Sequence, residues 1–190
     1  MKCLSARPLG AIFLCACSAL SHAQTVSDQA TGKDTAGPGL LAQSWASATD
    51  MHAWHGAGVW RASLAPWAPH FRRSEEHRNV WAVAIERQRP DDWLAGFSYF
   101  RNSFGQPSAY AYVGKRFNRL WDVEPLFFQA SAGVLYGYKG KYKNKVALNV
   151  AGFAPGALVG LGWKFDERSS ATLHLLGDAA VMLQLSYDFK

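Results

Sequence analysis

Beyond Gly56 the hydrophobic and polar positions of the chain alternate with period two, the pattern of β-strands with two unlike faces. The alternation is clearest at the end. Val181, Leu183, Leu185, Tyr187 and Phe189 interleave with Met182, Gln184, Ser186 and Asp188. Leu126, Phe128, Ala130, Ala132, Val134, Tyr136 and Tyr138 alternate with Gln129, Ser131, Gly133 and Gly137. Ala157, Val159, Leu161, Trp163 and Phe165 alternate with Leu158, Gly160, Gly162 and Lys164. In each run one face is continuously apolar and ends in aromatics, while the other is small or polar. Less regular segments at 57–65, 79–87, 93–102, 108–117 and 170–177 bring the expected strands to eight, and single-chain barrels need an even number. The predicted fold is therefore all-β: an eight-stranded antiparallel transmembrane β-barrel over 55–190. A soluble β-sandwich or lipocalin-like barrel would also alternate. Aromatics gathered at the strand ends on the apolar faces, with an outward Phe189 just before the C-terminus, favour the membrane form.

Upstream, Leu40, Leu41, Trp45, Ala48, Met51 and His52 recur at helical spacing. The segment 39–54 is compatible with a short amphipathic helix on the periplasmic membrane surface and equally with an unstructured lead-in. Residues 24–38 are polar and small, as in a flexible arm. Residues 1–23 place Lys2 and Arg7 before an apolar run from Leu9 to Leu20 and a Ser21-His22-Ala23 site, the layout of a signal peptide. The apolar run is too short for a spanning helix. Leu14-Cys15-Ala16-Cys17 loosely matches a lipobox, which makes Cys17 an alternative lipidation site.

Composition sharpens the picture. All three cysteines (Cys3, Cys15, Cys17) lie in the leader, so the mature chain has neither a disulfide framework nor a thiolate metal site. A secreted chain that is 49% hydrophobic with eight tryptophans suits a barrel whose apolar face meets lipid. Lys2 and Arg7 supply two of the six excess positive charges, leaving a mildly basic mature chain. Its expected anions are lipid phosphates, not nucleic acid.

With both termini periplasmic, 88–92, 118–122 and 166–169 are the short inner turns, and 66–78, 103–107, 139–150 and 178–179 lie outside. The longest outer segment carries Lys139, Lys141, Lys143 and Lys145, which face either plain solvent or the phosphates of surface glycolipids. No nucleotide-binding, metalloprotease or nucleophile-elbow motif appears, and no metal or cofactor is implied. His70 and His77 fall on the first outer loop, and Arg101-Asn102-Ser103 opens the second. A closed barrel brings neighbouring loops together, so a histidine base could meet the Asn102 or Ser103 side chain at the rim. A polar loop rim without chemistry remains the alternative.

Several segments resemble the outer-membrane lipid A palmitoyltransferase (PagP-like) family. These are Arg78-Asn79-Val80-Trp81 entering the second strand, Asp92-Trp93 opening the third, and Phe100-Arg101-Asn102-Ser103-Phe104 at its outer end. Pro107 follows, and Gly152-Phe153-Ala154-Pro155-Gly156-Ala157-Leu158-Val159-Gly160 is similar to a proline-interrupted sixth strand. The resemblance implies an acyltransferase that moves a palmitoyl-type chain from a phospholipid to lipid A in the bacterial outer membrane. Its partners would be phospholipid, lipopolysaccharide and the barrel-assembly machinery. It implies catalysis by His70, with His77 as the alternative base, assisted by Ser103 and Asn102, and an apolar lumen as the acyl-chain gauge. Small inward residues (Gly96, Ser98, Gly114, Ser131, Gly133, Gly160, Gly162) are expected to leave that lumen open. The family's acidic residue falls on Asn102, which carries no charge to support a histidinium. The competing expectation is a non-catalytic small barrel serving structure, adhesion or small-solute passage, its lumen plugged by polar side chains such as Gln129, Gln184, Asp188 and Lys164.

Overall fold

A computed structural model of the chain describes residues 46–71, 77–177 and 180–189. The leader, the Cys17 site, the arm at 24–38 and the first part of the expected helix lie outside the described residues. Eight strands follow one another: β1 (Val59–Trp67), β2 (Ala82–Gln88), β3 (Trp93–Arg101), β4 (Pro107–Asn118), β5 (Leu126–Tyr136), β6 (Phe153–Lys164), β7 (Ser169–Leu176) and β8 (Ala180–Phe189). Each pairs antiparallel with its neighbours, and β1 closes on β8. Closure leaves no free sheet edge, the one β-arrangement that satisfies its backbone inside hydrocarbon.

Alternation sends odd and even residues to different surroundings. Leu64, Ile85, Phe97, Val134, Leu161 and Leu173 stand on the outer face with 44–53% of their surface open. In water each would forgo about 1 kcal/mol, half the value of fully burying such a side chain. Summed around the ring, that loss rivals the whole 5–15 kcal/mol stability of a typical domain. The surface is built for lipid. Trp60, Tyr187, Phe189, Trp163 and Phe117 ring the end where β1 begins and β8 finishes, and Trp67, Trp81, Tyr99 and Phe153 ring the other. A closed barrel with an aliphatic belt between two aromatic girdles is a transmembrane barrel of the bacterial outer membrane.

The inner end carries short turns. Before β1, helical turns at 46–49 and α1 (Met51–His55) are separated by Asp50, whose Oδ1 accepts from the His52 N–H at 3.0 Å. Arg89 ties this segment to the first inner turn, donating to Ser47 O at 2.7 Å and lying 5.0 Å from the Trp54 ring. The expected strand at 57–65 runs instead over Val59–Trp67, with a register shift against β8 between Leu64 and Trp67, around Pro66. That shift turns Pro66 and Trp67 outward together.

The lumen is blocked, contrary to the expectation of an open apolar bore, and only its inner mouth opens as a cavity of about 680 Å³ lined by Arg61, Arg116, Lys164 and Asp188. In the inner half, Arg61 donates from Nε and Nη2 to the two oxygens of Asp188 at 2.5 and 2.7 Å. Its Nη1 lies 2.9 Å from Gln88 Oε1 and 3.6 Å from Glu86 Oε2. Glu86 Oε1 accepts from the Tyr112 hydroxyl at 2.9 Å and from Gln129 Nε2 at 3.2 Å. Gln129 Oε1 accepts from Arg116, whose guanidinium packs 3.9 Å from the Phe127 ring centre. Arg61, Arg116, Glu86 and Asp188 thus make a neutral set linked through amides and a phenol. Above them Ser63 and Ser186 touch at 2.9 Å, and Tyr110 stacks on Tyr112. In the outer half Ala65, Ala68, Val80, Ala82 and Met182 pack with Phe100, Leu158 and Leu176.

The glycines expected to open the bore instead make room for the residues across from them. Gly96 pairs with Tyr112, and a Cβ there would meet the phenol oxygen at 2.7 Å. Gly162 pairs with Phe127, whose ring occupies the space a side chain would need. Small faces large across the ladder. The plug predicts the stability of variants. Arg61→Ala strands Glu86 and Asp188 without their shared counter-charge, which should cost about 3–5 kcal/mol. Urea unfolding in micelles should show the lowered midpoint, and a native midpoint would mean the ion pairs do not hold the barrel.

Candidate functional site

Two outer loops meet above the apolar half of the lumen. Pro69 and His70 leave β1 and are held to β8: Val181 N donates to Pro69 O at 3.1 Å, and His70 bridges Ala180. From the other side, the 102–106 turn joins β3 to β4. Arg78 N donates to Ser103 O at 2.8 Å, fastening the returning first loop to this turn. The result places His70 Nε2 2.6 Å from Ser103 Oγ. His77 lies against His70 with ring centres 4.3 Å apart. Three of the candidate residues therefore come together.

Asn102 does not join them. It is buried, its Oδ1 accepts from the N–H groups of Phe104 and Gln106 at 3.0 Å each, and its Nδ2 donates to Ser108 Oγ. With Gly105 in the left-handed region at φ 76°, it shapes the turn that presents Ser103. Its amide is committed to the backbone and takes no part in orienting the imidazole.

His70 is held below the ordinary histidine value of 6.5, first by burial and second by the charge of His77. The neutral ring can accept the Ser103 proton, the elementary step of base catalysis at a hydroxyl. The same pair also forms a hydrogen bond that closes the rim, and the geometry serves both purposes.

The third outer loop completes the rim. Tyr142 stacks on Phe104 at 4.1 Å, and Phe104 meets His77 edge-on at 5.7 Å. An aromatic column thus runs from His70 across three loops. Lysines line it: Lys145 lies 5.6 Å from the Phe104 ring centre, Lys141 4.7 Å from that of Tyr142, and Lys139 4.3 Å from that of Tyr136, whose hydroxyl it also touches. Lys143 shares the short 3₁₀ segment Gly140–Lys145 with Lys141 and Lys145. Arg78 and Arg101 add two more cations. Among the described residues this rim holds no carboxylate, whereas Asp91, Asp92, Asp122, Glu124, Asp166 and Glu167 all sit on the inner turns or their edges. The described residues also hold no cluster of three or more metal-binding side chains.

Besides the register shift at Pro66, the wall is irregular near the rim between β6 and β7. The ladder between β6 and β7 runs from Lys164↔Ser170 to Val159↔Leu175, while β6 continues through Pro155 to Phe153. Proline there offers no N–H to a partner.

No family model matches the chain, and no curated protein matches it in sequence. A de novo designed transmembrane β-barrel is similar in structure, with a TM-score of 0.47 and 12% identity over 70% of this chain and 95% of that one. Ail, the attachment invasion locus protein of Yersinia pestis, solved with the heparin analogue sucrose octasulfate, gives 0.36 and 13% over 70% and 97%. The same protein in a phospholipid nanodisc gives 0.36 and 16% over 70% and 100%. At such identities the likeness is one of fold alone and assigns no activity.

The His70 environment makes a pH prediction. An imidazole whose folded value is lowered binds protons less readily than in the unfolded chain, so its contribution to stability is lost as pH falls through the ordinary histidine range. Imidazole NMR in micelles should show His70 titrating below 6.5. His77→Ala should move the midpoint only part of the way back, since burial, the larger cause, remains. A His70 midpoint at or above the ordinary value would contradict this geometry.

Proposed function

We propose that this protein is a sealed, non-catalytic outer-membrane barrel that works at its external rim, where it binds the phosphate groups of outer-leaflet glycolipid. The observation that carries the reading is that the described residues of the rim include lysines and arginines and no carboxylate, above a lumen crossed by a polar layer and an apolar cluster. A blocked bore argues against solute passage and leaves no channel to gauge an acyl chain. Cations near an anionic surface are each worth about 1 kcal/mol, so Lys139, Lys141, Lys143 and Lys145 together supply about 4 kcal/mol, a weak and salt-sensitive attachment of about millimolar affinity by charge alone. The ammonium groups of Lys139, Lys141 and Lys145 lie over aromatic rings, which restricts these side chains before contact and lowers the ordering cost. Such attachment would tie neighbouring glycolipids to a rigid membrane post, a structural or adhesive role.

The test is binding of lipopolysaccharide to the purified chain in micelles over a range of salt. Affinity should fall with salt, and a variant with all four loop lysines changed to glutamine should bind at least about tenfold more weakly, even at one-third of the summed charge effect. Equal binding by that variant, or no salt dependence, would refute the reading.

A second reading draws on the 2.6 Å contact between His70 and Ser103 and on the overhang of β6 at Pro155. It is transfer of a palmitoyl-type chain from a phospholipid to lipid A. His70 would take the proton of the acceptor hydroxyl, whose oxygen attacks the ester carbonyl polarised by Ser103, and the lysophospholipid would leave with a proton returned from the imidazole. The packed outer lumen and the commitment of Asn102 to its turn weigh against it. Mass spectrometry of lipid A from cells producing the protein decides the matter. The first reading expects no acyl gain, whereas a palmitate-sized gain abolished in His70→Ala and Ser103→Ala would establish the second.

A further inference from the structure

A groove of about 460 Å³ opens on the lipid side of the wall at the outer girdle, within the size range of sites that hold a small ligand. Its floor is Pro107 and Ala109, and its sides are Tyr99 of β3 and Tyr136 of β5. The ladder register explains it. Ala109 pairs with Tyr99 on one side and Tyr136 on the other, so a methyl group stands between two phenols. Tyr136 is held by its neighbours, with its ring 4.8 Å from Phe153 and the Lys139 ammonium above it. Farther into the membrane the floor continues as outward Ala111, paired with Phe97 and Val134.

The groove's upper end is cationic. Lys139 borders it, fixed by two bonds from the second outer loop: Lys139 N donates to Gln106 Oε1 at 3.0 Å, and Gln106 Nε2 donates to Lys139 O at 3.2 Å. Arg101 faces outward directly across the ladder from Pro107. An apolar trough at acyl depth, capped at headgroup depth by two cations, complements an anionic lipid.

We propose that this groove is a lipid site: it seats one acyl chain of an outer-leaflet glycolipid while Lys139 and Arg101 hold that lipid's phosphate. The inference rests on the rim meeting glycolipid phosphates, and adds where one molecule docks and by which chain. The charge distribution selects a phosphorylated glycolipid over a phospholipid. Beyond Lys139 the loop continues with Lys141, Lys143 and Lys145, a span of positive charge that a broad bisphosphorylated headgroup can cover and a single phosphodiester cannot.

The experiment titrates the purified chain in maltoside micelles with bisphosphoryl lipid A, and separately with its deacylated phosphorylated disaccharide. Ala109→Trp fills the groove and leaves every cation in place. It should weaken lipid A binding about tenfold and leave disaccharide binding unchanged. Arg101→Gln with Lys139→Gln should weaken both probes about thirtyfold, in keeping with about 1 kcal/mol for each of the two cations. Heat-shifted gel mobility checks folding, and Ala109→Phe serves if the tryptophan variant fails to assemble. Native-like lipid A binding by the filled-groove variant overturns the site. If in that case loop-lysine variants still bind weakly, the rim reading stands without it, and if they too bind normally, both fall. Equal competition by phosphatidylglycerol would overturn the assignment to glycolipid.

Discussion

An eight-stranded ring in hydrocarbon imposes one demand that shapes everything else: the residues pointing inward have no bulk water and must satisfy one another. Arg61 answers it by gripping Asp188 with two N–H groups while facing Glu86, and Arg116 answers it through Gln129. Two cations and two anions leave the plug neutral, whereas any one of them stripped of its partner would cost several kcal/mol. Above this polar layer the outer half closes with Met182, Phe100 and small residues. The interior is thereby used up in holding the barrel together.

The surfaces that remain differ sharply in chemistry. On the outside, alternation gives an aliphatic belt; at the inner end, carboxylates and arginines share the turns; at the outer end, the described residues keep only positive charge. The described parts of the first three outer loops are tied to one another and to the wall. Hydrogen bonds tie the first to β8 and to the second, Gln106 ties the second to the third, and an aromatic column from His70 to Tyr142 spans all three. A rim so fixed presents its lysines at set positions, which is what recognition of a phosphorylated surface needs.

Much of this is legible in the residues. Period two with aromatic ends identifies the strands, their outward faces and the membrane, because each neighbouring side chain meets a different solvent. Chain connectivity alone brings His70 toward Ser103, since adjacent loops of a barrel share one rim. The contents of the lumen are less legible. Alternation says that Gly96, Gly160 and Gly162 face inward, but their effect depends on the partner across the ladder. Tyr112, His174 and Phe127 stand there, so glycine marks a filled space. The opposite charges of Arg61 and Glu86, both in the inward phase of consecutive strands, were the available sign of a plug. Asn102 escapes such reading altogether, because the aim of its amide follows from a turn only five residues long.

The sealed lumen is the claim on which the assignment of function to the rim stands. Ion conductance across a planar bilayer containing the folded chain tests it most directly. The polar layer and the apolar cluster above it predict a silent barrel at every moderate voltage. Steady unitary steps through the native protein would show an open bore and contradict the account.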